Sequence, residues 1–73
     1  MLIYPNPATT SVRIGCKDKM QEIWVMNSTG QVVDRMNVND YSTRINTTEY
    51  NTGLYFIRAI TDKGTLTSRL IVK

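Results

Sequence analysis

Clusters of turn-forming residues punctuate this chain about every ten residues, a spacing that leaves room for short strands and little else. They are Pro5-Asn6-Pro7, Asn27-Ser28-Thr29-Gly30, Asn37 to Asp40, Asn51-Thr52-Gly53 and Asp62-Lys63-Gly64. The runs between them are rich in Val, Ile, Tyr, Phe, Trp and Thr and alternate with period 2. They read as the strands of an all-β sandwich or barrel. The pattern predicts strands at about 2–4, 11–15, 22–27, 31–37, 43–46, 54–61 and 65–72.

Alternation also assigns faces, because successive side chains on a strand point to opposite sides. Val12 and Ile14 form one inward set, followed by Ile23 and Val25, then Val33, then Tyr55, Ile57 and Ala59, and finally Leu66, Leu70 and Val72. This choice leaves Trp24, Met26, Leu54, Phe56 and Ile60 on the opposite faces, a surplus of large apolar groups for a solvent surface. Either both faces of the central strands are covered, or Trp24, Phe56 and Ile60 form an apolar patch for a partner or for self-association.

Two hairpins are well specified. Ile23 to Asn27 turns through Ser28-Thr29-Gly30 into Val32 to Met36, and Gly30 can adopt positive φ without a Cβ clash. Gly53 to Thr61 turns through Asp62-Lys63-Gly64 into Thr65 to Lys73, so the sequence closes inside a predicted strand. A terminus held in a sheet is uncommon, since most chain ends fray, and this points to the strand as something a partner reads. Pro5 and Pro7 make the segment around Asn6 stiff and extended before it turns.

The 73 residues fit one domain with a thin core, because folding at this size removes only roughly 60% of the unfolded chain's surface from water. A core so small rarely walls a substrate pocket. The chain has no His, so the commonest general base is missing, and Cys16 is alone, so neither an internal disulfide nor a Cys/His metal cluster is expected. Without a base beside it, Cys16 reads as a small hydrophobe or bystander rather than a nucleophile. The expectation is therefore a non-enzyme with no cofactor. Nine Lys plus Arg against six Asp plus Glu give a formal charge of +3. The basic residues are spread from Arg13 to Lys73, which describes a solvated mixed-sign surface and no nucleic-acid stripe. No run approaches the ~20 apolar residues that span a bilayer, and the first residues lack a signal-peptide pattern.

Three segments together resemble one family, the type A C-terminal sorting domains of the type IX (Por) secretion system of the Bacteroidetes. They are Tyr4-Pro5-Asn6-Pro7-Ala8, the run Ile23-Trp24-Val25-Met26-Asn27-Ser28-Thr29-Gly30-Gln31-Val32-Val33, and Gly53-Leu54-Tyr55-Phe56-Ile57-Arg58 with Leu70-Ile71-Val72-Lys73. Each alone is weak; in this order, and with the sequence closing on Lys, they are specific. The chain departs from the family pattern at Asn27, where Asp is usual, and at Gln31, where a basic residue is common. Since Asn caps a turn much as Asp does, the departures should alter only the turn's own hydrogen bonds.

The resemblance implies an immunoglobulin-like β-sandwich of about seven short antiparallel strands, a single sorting domain at residues 1–73 of a larger secreted protein. It implies a cargo that reaches the periplasm by a signal peptide and crosses the outer membrane to the cell surface or medium. The implied partners are translocon and shuttle proteins, and a sortase-like peptidase that removes the domain and joins the cargo to lipopolysaccharide. The recognition residues it implies are Gly53, Tyr55, Arg69, Leu70, Ile71, Val72 and Lys73. Unpaired N–H and C=O groups on a terminal edge strand would let a receptor bind by adding a strand, with alternate side chains filling pockets. The same edge could pair the isolated domain into a homodimer. The alternative is a retained module that binds a secretion component or lipopolysaccharide through Trp24, Phe56 and Ile60, and a generic carbohydrate-binding or spacer sandwich is a third reading.

Overall fold

The computed structural model describes residues 1–73 in full. It is all-β: β1 (Leu2–Tyr4), β2 (Ser11–Asn27), β3 (Val32–Asn46), β4 (Gly53–Thr61) and β5 (Gly64–Val72). The strands form one continuous antiparallel sheet in which β3, β2, β4 and β5 are successive neighbours. β1 pairs with Arg13 to Gly15 of β2, and β4 pairs with Met20 to Asn27, so both lie on the side of β2 opposite β3.

The seven expected strands are five, because two pairs of predicted runs join. Residues 11–15 and 22–27 are one strand, β2, and the expected strands at 31–37 and 43–46 join as β3, which starts one residue later at Val32. Cys16-Lys17-Asp18-Lys19-Met20-Gln21 contains no Gly or Pro to break the chain, so the backbone continues and bends instead. The β2–β3 ladder slips between Gly15 and Met20 and again before Glu22, and Asn39 on β3 adopts φ of 52°. Such bulges increase local twist and bend the strand. Two long strands bent in this way curl the sheet around a single core.

That core joins Ala8, Val12, Ile14, Met20, Ile23, Val25, Ile45, Tyr55, Ile57, Ala59, Leu70 and Val72. Burying an Ile or Leu completely stabilises by about 1.5–3 kcal/mol, and Ile14, Ile23, Ile57 and Leu70 are all fully buried. Most of the alternation-based assignment holds. Val33 and Leu66 are the corrections, at 46% and 40% exposed. Val25 pairs with Asp34 while Met26 pairs with Val32, which leaves Val33 as the extra residue of a bulge. Leu66 does lie on the inner face, opposite the core residue Ala59, but close to the hairpin tip it covers the end of the core and keeps its outer side in solvent.

Candidate functional site

The β4–β5 hairpin is entered through Gly53, whose φ of 153° lies in a region that side chains with a Cβ rarely adopt. Tyr55 follows it and is buried. Its hydroxyl donates to the Asn51 carbonyl at 2.7 Å, and its ring stacks on Tyr50 with centroids 5.3 Å apart. Tyr50 in turn donates its hydroxyl to the Asp34 carboxylate at 3.2 Å. Burial first, and then the Asp34 charge, raises the Tyr50 phenol well above its ordinary value. The entry to the hairpin is thereby tied to β3 by two stacked phenols.

On β5 the expected recognition residues divide by face. Leu70 and Val72 point inward and are fully buried, whereas Arg69, Ile71 and Lys73 point outward. Register places Ile71 beside Leu54, Arg69 beside Phe56 and Thr67 beside Arg58 on the outer face. The inward pair holds the strand in place. Only the outward set presents side chains to another molecule.

The outer edge of β5 is not open along its length. Ile71 donates its N–H to Asn6 Oδ1 at 3.0 Å, and Asn6 Nδ2 donates to the Arg69 carbonyl at 3.0 Å. Ala8 donates its N–H to the Ile71 carbonyl at 2.7 Å, and Lys73 donates its N–H to the Ala8 carbonyl at 2.8 Å. The unpaired edge expected on the last strand is thus occupied around residues 69–73 by the segment after β1. Asn6 and Ala8 were legible only as part of a stiff Pro-flanked turn.

Trp24, Phe56 and Ile60 share the outer face of β2 and β4 and are all half-buried. The Arg35 guanidinium lies 4.6 Å from the Trp24 ring centroid and that of Arg58 lies 5.9 Å away. The indole N–H donates to Glu22 at 3.1 Å, and Glu22 pairs with Arg35 at 3.5 Å. Arginine stems therefore clothe part of the surplus apolar surface, and each cation–π contact adds roughly 0.5–2 kcal/mol at such a half-buried site. Arg58 Nε is buried there without a hydrogen-bond partner.

The β2–β3 turn is closed by Asn27. Its side-chain oxygen accepts from the N–H and hydroxyl of Thr29 at 3.1 and 2.8 Å and from the N–H of Gln31 at 3.0 Å. Its amide donates to Gln31 Oε1 at 3.1 Å. The two departures from the family pattern therefore face each other, and an amide–amide bond joins them across the turn.

Compared with known families, residues 2–73 match the one described as secretion system C-terminal sorting domain. A comparison with curated proteins finds no match.

Proposed function

Because the chain belongs to the C-terminal sorting domains of the type IX secretion system, we propose that the machinery reads the outer face of β5 through Arg69, Ile71 and Lys73. A protein that carries such a signal is exported through the outer membrane, to the cell surface or beyond it. The supporting observation is the division of β5 by face: Leu70 and Val72 are consumed by the core, while the outward side chains do no packing that the fold requires. Gly53 and Tyr55 act as the scaffold that fixes the strand.

In this reading the domain is a substrate and not a catalyst. The cargo waits in the periplasm, shuttle and translocon proteins bind the domain, and a sortase-like peptidase cleaves it and links the cargo to lipopolysaccharide. The curled sheet serves as a compact form of the immunoglobulin-like sandwich, with the two halves of bent β2 and β3 in opposing layers.

The test is a signal-peptide–passenger–domain fusion carrying Arg69→Ala, Ile71→Ala and Lys73→Ala together. Surface substitutions of this kind usually change stability by no more than about 0.5 kcal/mol each, so the variant should fold, with its passenger retained in the periplasm. Export at the wild-type level by a folded variant would sink the proposal.

A second reading, a retained module docking through Trp24, Phe56 and Ile60, is favoured by the cationic dressing of that face by Arg35 and Arg58. Mass spectrometry of the mature protein separates the two: loss of residues 1–73 supports the sorting signal, and their persistence supports the module.

A further inference from the structure

The outer edges of β3 and β5 are guarded in different ways. On β3 the guards are its own side chains: the Asp34 carboxylate accepts the N–H of Arg35 at 2.9 Å, and that of Asp40 accepts the N–H of Tyr41 at 2.6 Å. Those carboxylates cannot leave the strand. On β5 the guard is a separate piece of chain.

In an antiparallel ladder, alternate residues turn their N–H and C=O groups toward the partner and away from it. Ile71 turns both toward Asn6 and Ala8, so the outward groups of β5 belong to residues 65, 67, 69, 71 and 73. The segment occupies the Arg69 carbonyl, both groups of Ile71 and the Lys73 N–H. Its geometry is that of a strand in miniature. Ala8 pairs with Val72 in a parallel bridge and is fully buried, while the Asn6 carboxamide supplies a second donor and acceptor as a peptide group would. A one-residue bridge and one exposed carboxamide hold far less tightly than the β4 ladder on the other side of the same strand.

From this geometry we infer that the Pro5–Ala8 segment is a removable plug, an internal stand-in for the strand by which the receptor reads β5. The inference rests on the proposed reading of β5 and adds the form of the partner. The incoming segment runs parallel to β5, places an alanine-sized side chain opposite Val72, and offers a donor and an acceptor to Arg69 and Ile71 where Asn6 now does. The plug must leave first. Until it does, the edge at 69–73 is closed to a receptor and to other copies of the domain.

The decisive experiment locks the plug in the passenger fusion with Ala8→Cys and Val72→Cys, in a Cys16→Ser background. Paired strand positions are spaced by about 4.7–4.9 Å, inside the roughly 4.4–6.8 Å Cα separation that a disulfide accepts. The locked fusion should place about tenfold less passenger at the surface than the same variant grown with a thiol reductant, while reductant leaves the wild-type fusion unchanged. Equal export with and without reductant, with the disulfide shown to be formed, would overturn the plug. Amide exchange on the purified wild-type domain gives a readout independent of the cysteines. The Ile71 and Lys73 amides should exchange about tenfold faster than those of buried β4 residues such as Ile57, and faster still in Asn6→Ala with Ile57 unchanged. Exchange of all three at one rate means that the plug opens only on global unfolding, which refutes it. Failure of the underlying reading is recognised separately: the Arg69, Ile71, Lys73 triple variant would then export normally whatever the lock does.

Discussion

Replacing Tyr55 by Phe separates its structural role from any role in recognition. The substitution keeps the buried ring and its stack on Tyr50 and removes only the hydroxyl that donates to the Asn51 carbonyl. A net hydrogen bond is worth about 0.5–1.5 kcal/mol. Asn51 is exposed, so water can satisfy the freed carbonyl, and the expected loss is near 1 kcal/mol. For a domain of this size that lowers Tm by about 4–8 °C. Tyr55→Ala would instead cost about 3–5 kcal/mol, against a total of roughly 4–11 kcal/mol for a 73-residue chain, and would tell little because much of the sample would unfold. The assays are thermal unfolding by circular dichroism and export of the passenger fusion. Tyr55→Phe should lose stability by the stated amount and export normally below its Tm. A Tm within 1 °C of wild type would refute the anchoring argument, and lost export with intact stability would place the hydroxyl in the recognition surface.

Other predictions rest on equally local observations. Asn27→Ala removes the acceptor of three hydrogen bonds in the β2–β3 turn and should destabilise by about 1–2 kcal/mol, whereas Asn27→Asp should retain most of the stability, both measured by urea unfolding. Tyr50→Phe should flatten an alkaline loss of stability. The folded phenol has a raised pKa, so above its unfolded value of about 10 the unfolded chain releases a proton that the folded chain keeps. Stability then falls as pH rises past that point in wild type and less so in the variant, as denaturation series at pH 8 and 11 would show. If homodimers form through the β5 edge, Asn6→Ala should raise the dimer fraction in size-exclusion chromatography over a concentration series. An unchanged fraction would place the contact elsewhere.

The sequence was most legible where one face of a strand is buried. Val12 and Ile14, Ile23 and Val25, Tyr55, Ile57 and Ala59 sit inward as alternation requires, because a one-residue slip would expose each whole set. It was least legible where the period breaks. The predicted strands at 11–15 and 22–27 leave Lys17 to Lys19 outside them, yet this charged run continues β2 through a bend, and nothing local marks Val33 as the bulged residue. Turn chemistry was readable at Asn27, since its side chain bonds to residues two and four positions on. The plug was not readable at all, because Asn6 meets Arg69 and Ile71 across a separation of 63 and 65 residues. A Pro-flanked Asn announces a turn and gives no hint of its distant partner.

That long-range pairing changes what a truncation can prove. Deleting residues 53–73 is the obvious test of a signal in the closing hairpin, but the hairpin supplies Tyr55, Ile57, Ala59, Leu70 and Val72 to the core, and β5 anchors Asn6 and Ala8. Lost export after that deletion would follow equally from a missing signal and from a collapsed fold. Comparing the two faces of one strand removes the ambiguity. Leu70→Ala, at a site fully buried, should cost about 2–5 kcal/mol, whereas the outward triple variant should stay near wild-type stability. If a read surface carries the signal, export at a temperature where both variants remain folded should fall in the outward variant and persist for Leu70→Ala. Should export instead follow measured stability across the two, the machinery would be sensing the folded domain as a whole, and Arg69, Ile71 and Lys73 would lose their assigned role.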